Sequence, residues 1–132
     1  MSPTLSLSLA FGDVDIVDRV DSLAADELDR LDFGVIGFDA AGIVRTYNAF
    51  ESQCAGLSPA RVLGQSMFTI VAPCMNNFMV AQRFDDAAAA GTGLDATIDY
   101  VLTLRMRPVK VALRLLSAPS LATRYVLVRR KP

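Results

Sequence analysis

The sequence predicts an α+β fold, a five-stranded antiparallel sheet flanked by helices and preceded by an N-terminal helical cap. Three observations support this prediction: a strand hairpin follows an amphipathic start, helical patterns fill the middle, and alternating apolar residues fill the C-terminal part. The length of 132 residues fits one domain and leaves no room for a second core. We therefore expect a single domain over residues 1–132, with the cap at 1–31 and the core at 32–132.

The cap and the first two strands are predicted from the spacing of their apolar residues. Between Asp13 and Leu31 these residues recur at steps of three and four, which is typical of one or two short amphipathic helices. Residues 33–39 form a strand-like run, a turn follows as far as Gly42, and residues 43–47 return as the partner strand. This unit is a predicted β-hairpin.

Two short helices are predicted after the hairpin. The first has Asn48 as its N-cap and Glu51 as the capping-box partner three residues later, and it ends at Gly56. The second begins at Ser58, carries proline at its first position and ends at Gly64.

The remaining elements are a loop, a longer helix and three strands. Residues 68–74 are predicted to be extended or looped, because Pro73 disfavours helix there. A helix is predicted over 76–90, with an apolar stripe made of Phe78, Ala81, Phe84 and Ala88. Strands are predicted at about 95–104, 109–117 and 123–130.

The composition excludes several classes of chemistry. The chain has no histidine, which excludes His-based acid–base catalysis, Ser-His and Cys-His nucleophiles, most catalytic zinc sites and His-ligated haem. Its net charge of -1 offers no general attraction for nucleic acid or for an anionic membrane. Any chemistry must therefore come from Cys, Tyr, Glu or Asp, Lys or Arg, or from a bound cofactor. Because a thiol enzyme would lack a base beside Cys74, we expect a protein that is not an enzyme and binds no metal.

The cysteines and the apolar segments predict a cytoplasmic location. Cys54 and Cys74 suit a reducing compartment, although one disulfide between them is compatible with the sequence. No apolar run approaches the ~18 residues that a membrane span needs. The apolar start also lacks the basic segment of a signal peptide.

From residue 31 onward the chain resembles the photoactive yellow protein family, whose members have a PAS fold. The resemblance rests on Leu31-Asp-Phe-Gly-Val-Ile-Gly-Phe-Asp39, Gly42-Ile43, Tyr47-Asn-Ala49, Glu51, Gly56, Val62-Leu-Gly64, Phe68 and Val71-Ala-Pro-Cys74. It continues towards both ends at Leu9-Ala-Phe-Gly12, Phe84, Gly91, Tyr100, Met106 and Pro108-Val-Lys-Val111. Tyr-Asn-Ala-x-Glu followed by Val-Ala-Pro-Cys at this spacing is its most specific part.

The resemblance implies a blue-light photoreceptor that carries p-coumaric acid (trans-4-hydroxycinnamic acid) as a thioester. The attachment residue of the family corresponds to Cys74, and the two residues that bind the phenolate oxygen correspond to Tyr47 and Glu51. The implied signal is trans-to-cis photoisomerisation, proton transfer from Glu51 and partial unfolding.

These residue types suit that chemistry, and each also has a plainer interpretation. A thiol is needed for a thioester, but a free cysteine such as Cys74 is usually a small buried apolar residue. Burial favours the neutral form of a carboxylic acid, so Glu51 is expected to donate a hydrogen bond beside Tyr47 from an apolar cavity. Alternatively, Glu51 is only a capping-box residue and Tyr47 is only half-buried on a strand.

The rest of the pocket is assigned through the same resemblance. Met106 corresponds to a methionine that packs near the chromophore. A threonine that supports the tyrosine is replaced by Ala55, and an arginine that covers the pocket is replaced by Leu57. The other expected lining residues, which core packing explains equally well, are Met67, Phe68, Val71, Ala72, Leu102 and Leu104.

A different class of function stays open from the sequence. A chromophore-free PAS interaction or dimerisation module would also account for the apolar composition and the altered pocket. An isolated sensor domain needs a downstream signalling protein, which the sequence does not identify. The 52% hydrophobic content exceeds the need of one small core, which favours an interface such as that of a weak homodimer.

Overall fold

The computed structural model describes residues 9–103 and 108–130, and within them the chain forms five helices and five strands. The cap contains α1 (Ile16–Ser22) and α2 (Ala25–Leu28), and the hairpin contains β1 (Gly34–Phe38) and β2 (Val44–Tyr47). The middle contains α3 (Ala49–Ala55), α4 (Pro59–Val62), a π-helical turn (Met67–Val71), a 3₁₀ turn (Pro73–Met75) and α5 (Ala81–Ala90). The chain continues with β3 (Leu94–Leu102), β4 (Val109–Ser117) and β5 (Arg124–Arg130).

The five strands form one antiparallel sheet in the order β2-β1-β5-β4-β3. Strand β5 therefore lies at the centre, between β1 and β4. Ile36 of β1 pairs with Tyr47 of β2 on one side and with Val126 of β5 on the other. The predicted α+β class and the five strands are confirmed.

Buried residues line both faces of the central strands β1, β4 and β5, in which successive residues point to opposite sides. In β5, Val126 and Val128 belong to the cluster that contains Phe84 of α5. Tyr125 and Leu127 belong to a second cluster, which packs against the cap through residues such as Ile16. The apolar residues therefore form a buried layer on each side of the sheet.

One arginine fastens the cap to this second layer. Arg114 of β4 is 8% exposed, and its Nη1 donates to the carbonyl oxygens of Phe11 at 2.8 Å and of Asp13 at 2.7 Å. Its Nε and Nη2 donate to the two carboxylate oxygens of Asp95, both at 2.8 Å. The cap is thus held by charge-assisted hydrogen bonds as well as by apolar contact.

Two local predictions were wrong. Residues 68–74 are not extended, because hydrogen bonds from Val71 to Ser66 and from Ala72 to Met67 close the π-helical turn. The long helix begins at Ala81 rather than at residue 76, so Phe78 lies outside it and is 78% exposed. The side chain of Asn77 accepts from the amides of Met79 and Val80 and fixes the turn before the helix.

No helix in residues 9–103 and 108–130 is long and apolar enough to cross a membrane.

Candidate functional site

Cys74 lies in the 3₁₀ turn that follows the π-helical turn, and its side chain is a free thiol. It is partly buried and packs against the buried cluster on the α5 side of the sheet. Cys54, on α3, is also a free thiol and is exposed, so the two cysteines form no disulfide. The structure therefore offers one thiol at the edge of a core and one on the surface.

The backbone at Cys74 is held by two side chains that sequence reasoning did not connect with it. The hydroxyl of Tyr100 donates to the carbonyl oxygen of Cys74 at 2.5 Å, and the Asn77 side-chain amide donates to the same oxygen at 3.1 Å. The Asn77 amide also lies 2.6 Å from the Tyr100 hydroxyl, to which it donates. These bonds fix the turn from which the thiol projects.

Tyr47 ends β2 and is 6% exposed, within the same buried cluster. Burial raises the pKa of Tyr47 well above its ordinary value, and the nearby charge of Glu51 raises it further. Arg130 acts in the opposite direction. The hydroxyl of Tyr47 therefore remains protonated at neutral pH and is able to donate a hydrogen bond.

Glu51 lies in the first turn of α3 and is 2% exposed. Its backbone amide donates to the side chain of Asn48 at 3.1 Å, which confirms the predicted N-cap. Its carboxylate does not return to the Asn48 amide, which donates to the carbonyl oxygen of Val35 instead. The capping-box interpretation of the Glu51 side chain was therefore wrong.

The carboxylate of Glu51 is bound by Arg130, the last residue of β5. Nη1 of Arg130 donates to Oε1 at 2.7 Å and Nη2 donates to Oε2 at 3.1 Å, a two-point ion pair with 19% of the Arg130 side chain exposed. Burial alone would lower the pKa of Arg130, but its hydrogen bond and charge interaction with Glu51 raise the pKa above its ordinary value. The expectation that Glu51 stands alone in an apolar cavity was wrong.

Arg130 was missed because its position near the C terminus carries no motif. The signal that points to it is the strand period: Val126, Val128 and Arg130 alternate along β5 on one face of the sheet. The contact between Arg130, at the end of β5, and Glu51 on α3 forms only in the folded protein, so it leaves no local pattern in the sequence.

The predicted pocket residues are brought together on one side of the sheet. Within the buried cluster lie Tyr47, Met67, Val71, Ala72 and Leu102, and packed against it lie Leu57, Phe68, Cys74 and Tyr100. Ala55 is buried one turn after Glu51 on α3. Leu104 and Met106 lie outside the described residues.

Two curated proteins cover most of the chain. The photoactive yellow protein of Rhodothalassium salexigens is 32% identical over 92% of this chain and 97% of its own length. The photoactive yellow protein of Halochromatium salexigens is 33% identical over 91% of this chain and 95% of its own. A scan against protein-family models found no match.

A solved structure agrees with these relatives. The photoactive yellow protein domain of the sensor histidine kinase Ppr from Rhodospirillum centenum is 37% identical, with a TM-score of 0.77. The match covers 85% of this chain and 97% of that domain. On sequence and on structure alike, the chain belongs to the photoactive yellow protein family.

Proposed function

We propose that this protein is a blue-light photoreceptor that binds p-coumaric acid covalently, as a thioester on Cys74. The observation that carries the proposal is the free thiol of Cys74 at the edge of the buried cluster that contains Tyr47, in a member of this family. When bound, the group would supply the absorption of blue light and the change from trans to cis.

The residues of the chain fit such a group. A phenol with an acyl tail needs a nucleophile at one end, an apolar slot along its ring and hydrogen-bond donors at its oxygen. Cys74 supplies the nucleophile and Tyr47 supplies a hydrogen-bond donor. Met67 and Val71, which belong to the same buried cluster as Tyr47, supply apolar surface for the ring. The space beside β1 is taken by the Glu51 side chain, because a Cβ built on Gly34 would lie 2.1 Å from its Oε1.

Attachment follows from the chemistry of the thiol. The thiolate of Cys74 attacks the carbonyl carbon of an activated acyl donor, so that a carbon–sulfur bond forms. The bond to the leaving group breaks, and the leaving group departs with the electron pair and takes up the proton that the thiol released. Asn77 and Tyr100 keep the turn in place while the thiol reacts.

The light response depends on the other end of the site. Tyr47 and Glu51 would hold the phenolate oxygen of the bound group by hydrogen bonds in the dark, and Glu51 would give its proton to that oxygen on illumination, so that one Oε–H bond breaks and one phenolic O–H bond forms. Because Arg130 lies against Glu51, the resulting carboxylate is paired rather than isolated. The signal is then a loosening of α3 and the cap, caused chiefly by the lost hydrogen bonds at the phenolate oxygen.

An intact-mass measurement tests the proposal. The chain is expressed with an activated p-coumaric donor, and the expected result is a mass increase of one acyl group together with a visible absorption band. Cys74→Ser is expected to lose both. Cys54→Ser is the matched control and is expected to keep both, because Cys54 is exposed. A wild-type chain that gains neither mass nor a band contradicts the proposal.

A chromophore-free PAS interaction module is the second candidate. It is favoured by the ion pair that already occupies the Glu51 carboxylate and by the apolar residues Ala55 and Leu57. In either case we propose a cytoplasmic protein that signals through a partner or through a weak homodimer. Sedimentation in the dark and in the light distinguishes the two, since only a photoreceptor changes its association on illumination.

A further inference from the structure

The buried ion pair between Glu51 and Arg130 places a cation, Arg130, beside the carboxyl that the proposed chemistry uses. The groups that interact with it are Tyr47 at the end of β2 and Cys54 on α3, each of which is neutral when protonated. Arg130 is therefore the cation of this corner of the site, and Glu51 is its anion.

A count of charges shows what Arg130 does when a phenol is bound beside Glu51. A carboxyl and a phenol together hold two, one or no protons, and their total charge is then 0, -1 or -2. A fixed positive charge in contact with the carboxyl makes the state with one proton neutral. Without that charge, the neutral state needs two protons, because a buried net charge is strongly unfavourable.

We propose that Arg130 sets the proton content of the chromophore site: with Arg130 present, Glu51 and the bound phenol share one proton, and without it they keep two. The part of this inference that concerns the bound phenol rests on the proposed function, and the part that concerns Glu51 and Arg130 alone does not. For the chromophore-free chain, the same count of charges predicts that Glu51 is a carboxylate when Arg130 is present and a carboxylic acid when Arg130 is absent.

The proposal also identifies the source of the proton that Glu51 releases in the light. On this proposal Glu51 would be a carboxylate before attachment and would take up the proton of the phenol when the group binds: one phenolic O–H bond would break and one Oε–H bond would form. The total charge of the site does not change. Arg130 is thus a positioning and charge-balancing residue rather than a proton donor.

The chromophore-free chain gives a direct test, because the sequence contains only two glutamates, Glu27 and Glu51. Glutamate labelled with ¹³C at the side-chain carboxyl gives two signals, and Glu27 serves as the internal reference. At pH 7 the Glu51 signal is expected at the carboxylate position in the wild-type chain and at the carboxylic acid position in Arg130→Gln. A carboxylate signal in both proteins overturns the proposal.

Arg129→Gln is the matched control, because it removes the same charge from the adjacent position. Arg129 is exposed and lies 4.7 Å over the ring of Phe11, on the cap side of the sheet. Its Glu51 signal is expected to equal that of the wild type. If Arg129→Gln also protonates Glu51, then net charge rather than the ion pair is responsible and the proposal fails.

The loaded protein gives a second readout. The pH midpoint at which the visible band appears is expected to rise by about 1–3 units in Arg130→Gln, as for an acid that loses an adjacent cation, and to stay unchanged in Arg129→Gln. Equal midpoints in the two variants overturn the proposal. If wild-type protein takes up no chromophore, the proposed function fails, and the carboxyl signals still decide the role of Arg130.

Arg130→Gln leaves a buried carboxylate without its partner, which can prevent folding. In that case Glu51→Gln is compared with Glu51→Gln/Arg130→Gln, a pair that buries no unpaired acid. The same upward shift of the band midpoint is expected in the double variant. Equal midpoints count against Arg130.

Discussion

At the scale of single residues, Gly34 provides the space that the Glu51 side chain fills. A Cβ at position 34 would lie 2.1 Å from Oε1 of Glu51 and 3.1 Å from its Cβ, at the first residue of a buried strand. Neither contact is relieved by a small rotation, because Glu51 is also fixed by Arg130. Gly34 is therefore required by its neighbour rather than by backbone conformation.

Gly34→Ala is expected to destabilise the protein by about 2 kcal/mol, the usual cost of overpacking a core. Urea denaturation measures the change. Gly12→Ala is the matched control, since a Cβ at Gly12 meets nothing within 4 Å, and its stability is expected to stay within about 0.5 kcal/mol of the wild type. A fully stable Gly34→Ala variant would show that the Glu51 side chain moves freely, which contradicts the structure.

The residues proposed for the site differ in how far the sequence predicts them. Cys74, Tyr47 and Glu51 are found through the family resemblance of short motifs, whereas their spacing alone also fits a buried apolar cysteine, a half-buried tyrosine and a capping-box glutamate. Arg130 interacts with a residue 79 positions away, and no local pattern predicts that contact.

At the scale of elements, Asn48 joins the cap, β1 and α3. It is 2% exposed, and its Oδ1 accepts from the amides of Val35 and Glu51. Its Nδ2 donates to the carbonyl oxygens of Leu28 at 2.9 Å and Phe33 at 3.0 Å. The sequence predicted the N-cap alone, since the other three bonds form only after these elements pack.

Asn48→Ala is expected to cost about 3 kcal/mol, more than the ~1 kcal/mol of an ordinary N-cap, because it leaves buried backbone groups without partners. Ser58→Ala is the control: Ser58 occupies the N-cap of α4 but makes no capping bond with its side chain. Its stability is expected to change by less than about 0.5 kcal/mol. Chemical denaturation of both variants measures the difference, and a loss of only ~1 kcal/mol in Asn48→Ala would show that Asn48 is only a cap.

The π-helical turn that precedes Cys74 shows where the prediction of secondary structure failed. Pro73 excludes an ordinary helix, but it does not exclude a π-helical turn that ends before it. The hydrogen bonds that close the turn pair residues five apart, a period that apolar spacing does not reveal. The side-chain bonds of Asn77 then delay the start of α5 to Ala81.

At the scale of the whole molecule, one buried tyrosine in each apolar cluster makes the free energy of unfolding depend on pH. Burial raises the pKa of Tyr47 in one cluster and of Tyr125 in the other, where the hydrogen bond of its hydroxyl to Asp21 at 2.6 Å adds to the effect. In the unfolded chain both titrate near 10. Ionisation therefore favours the unfolded state above that pH.

The free energy of unfolding is expected to be unaffected by these tyrosines below about pH 10 and to fall above it. Each contributes a slope of about 1.4 kcal/mol per pH unit, until the pH reaches the raised pKa of the folded state. Guanidinium denaturation between pH 8 and 12 measures the slope. Tyr125→Phe is expected to reduce the slope by about 1.4 kcal/mol per pH unit, the contribution of one tyrosine. An unchanged slope would contradict the burial of the Tyr125 hydroxyl.

The central position of β5 has a consequence for synthesis. The ribosome makes β1 about 90 residues before it makes β5, the strand that must lie beside it. At ~5–20 residues per second, the interval is on the order of ten seconds. During that time β1 lacks its inner neighbour and Glu51 lacks Arg130, so the nascent chain has neither a closed sheet nor a balanced site. The ion pair between Glu51 and Arg130 is therefore expected to form only after the guanidinium of Arg130 has left the exit tunnel.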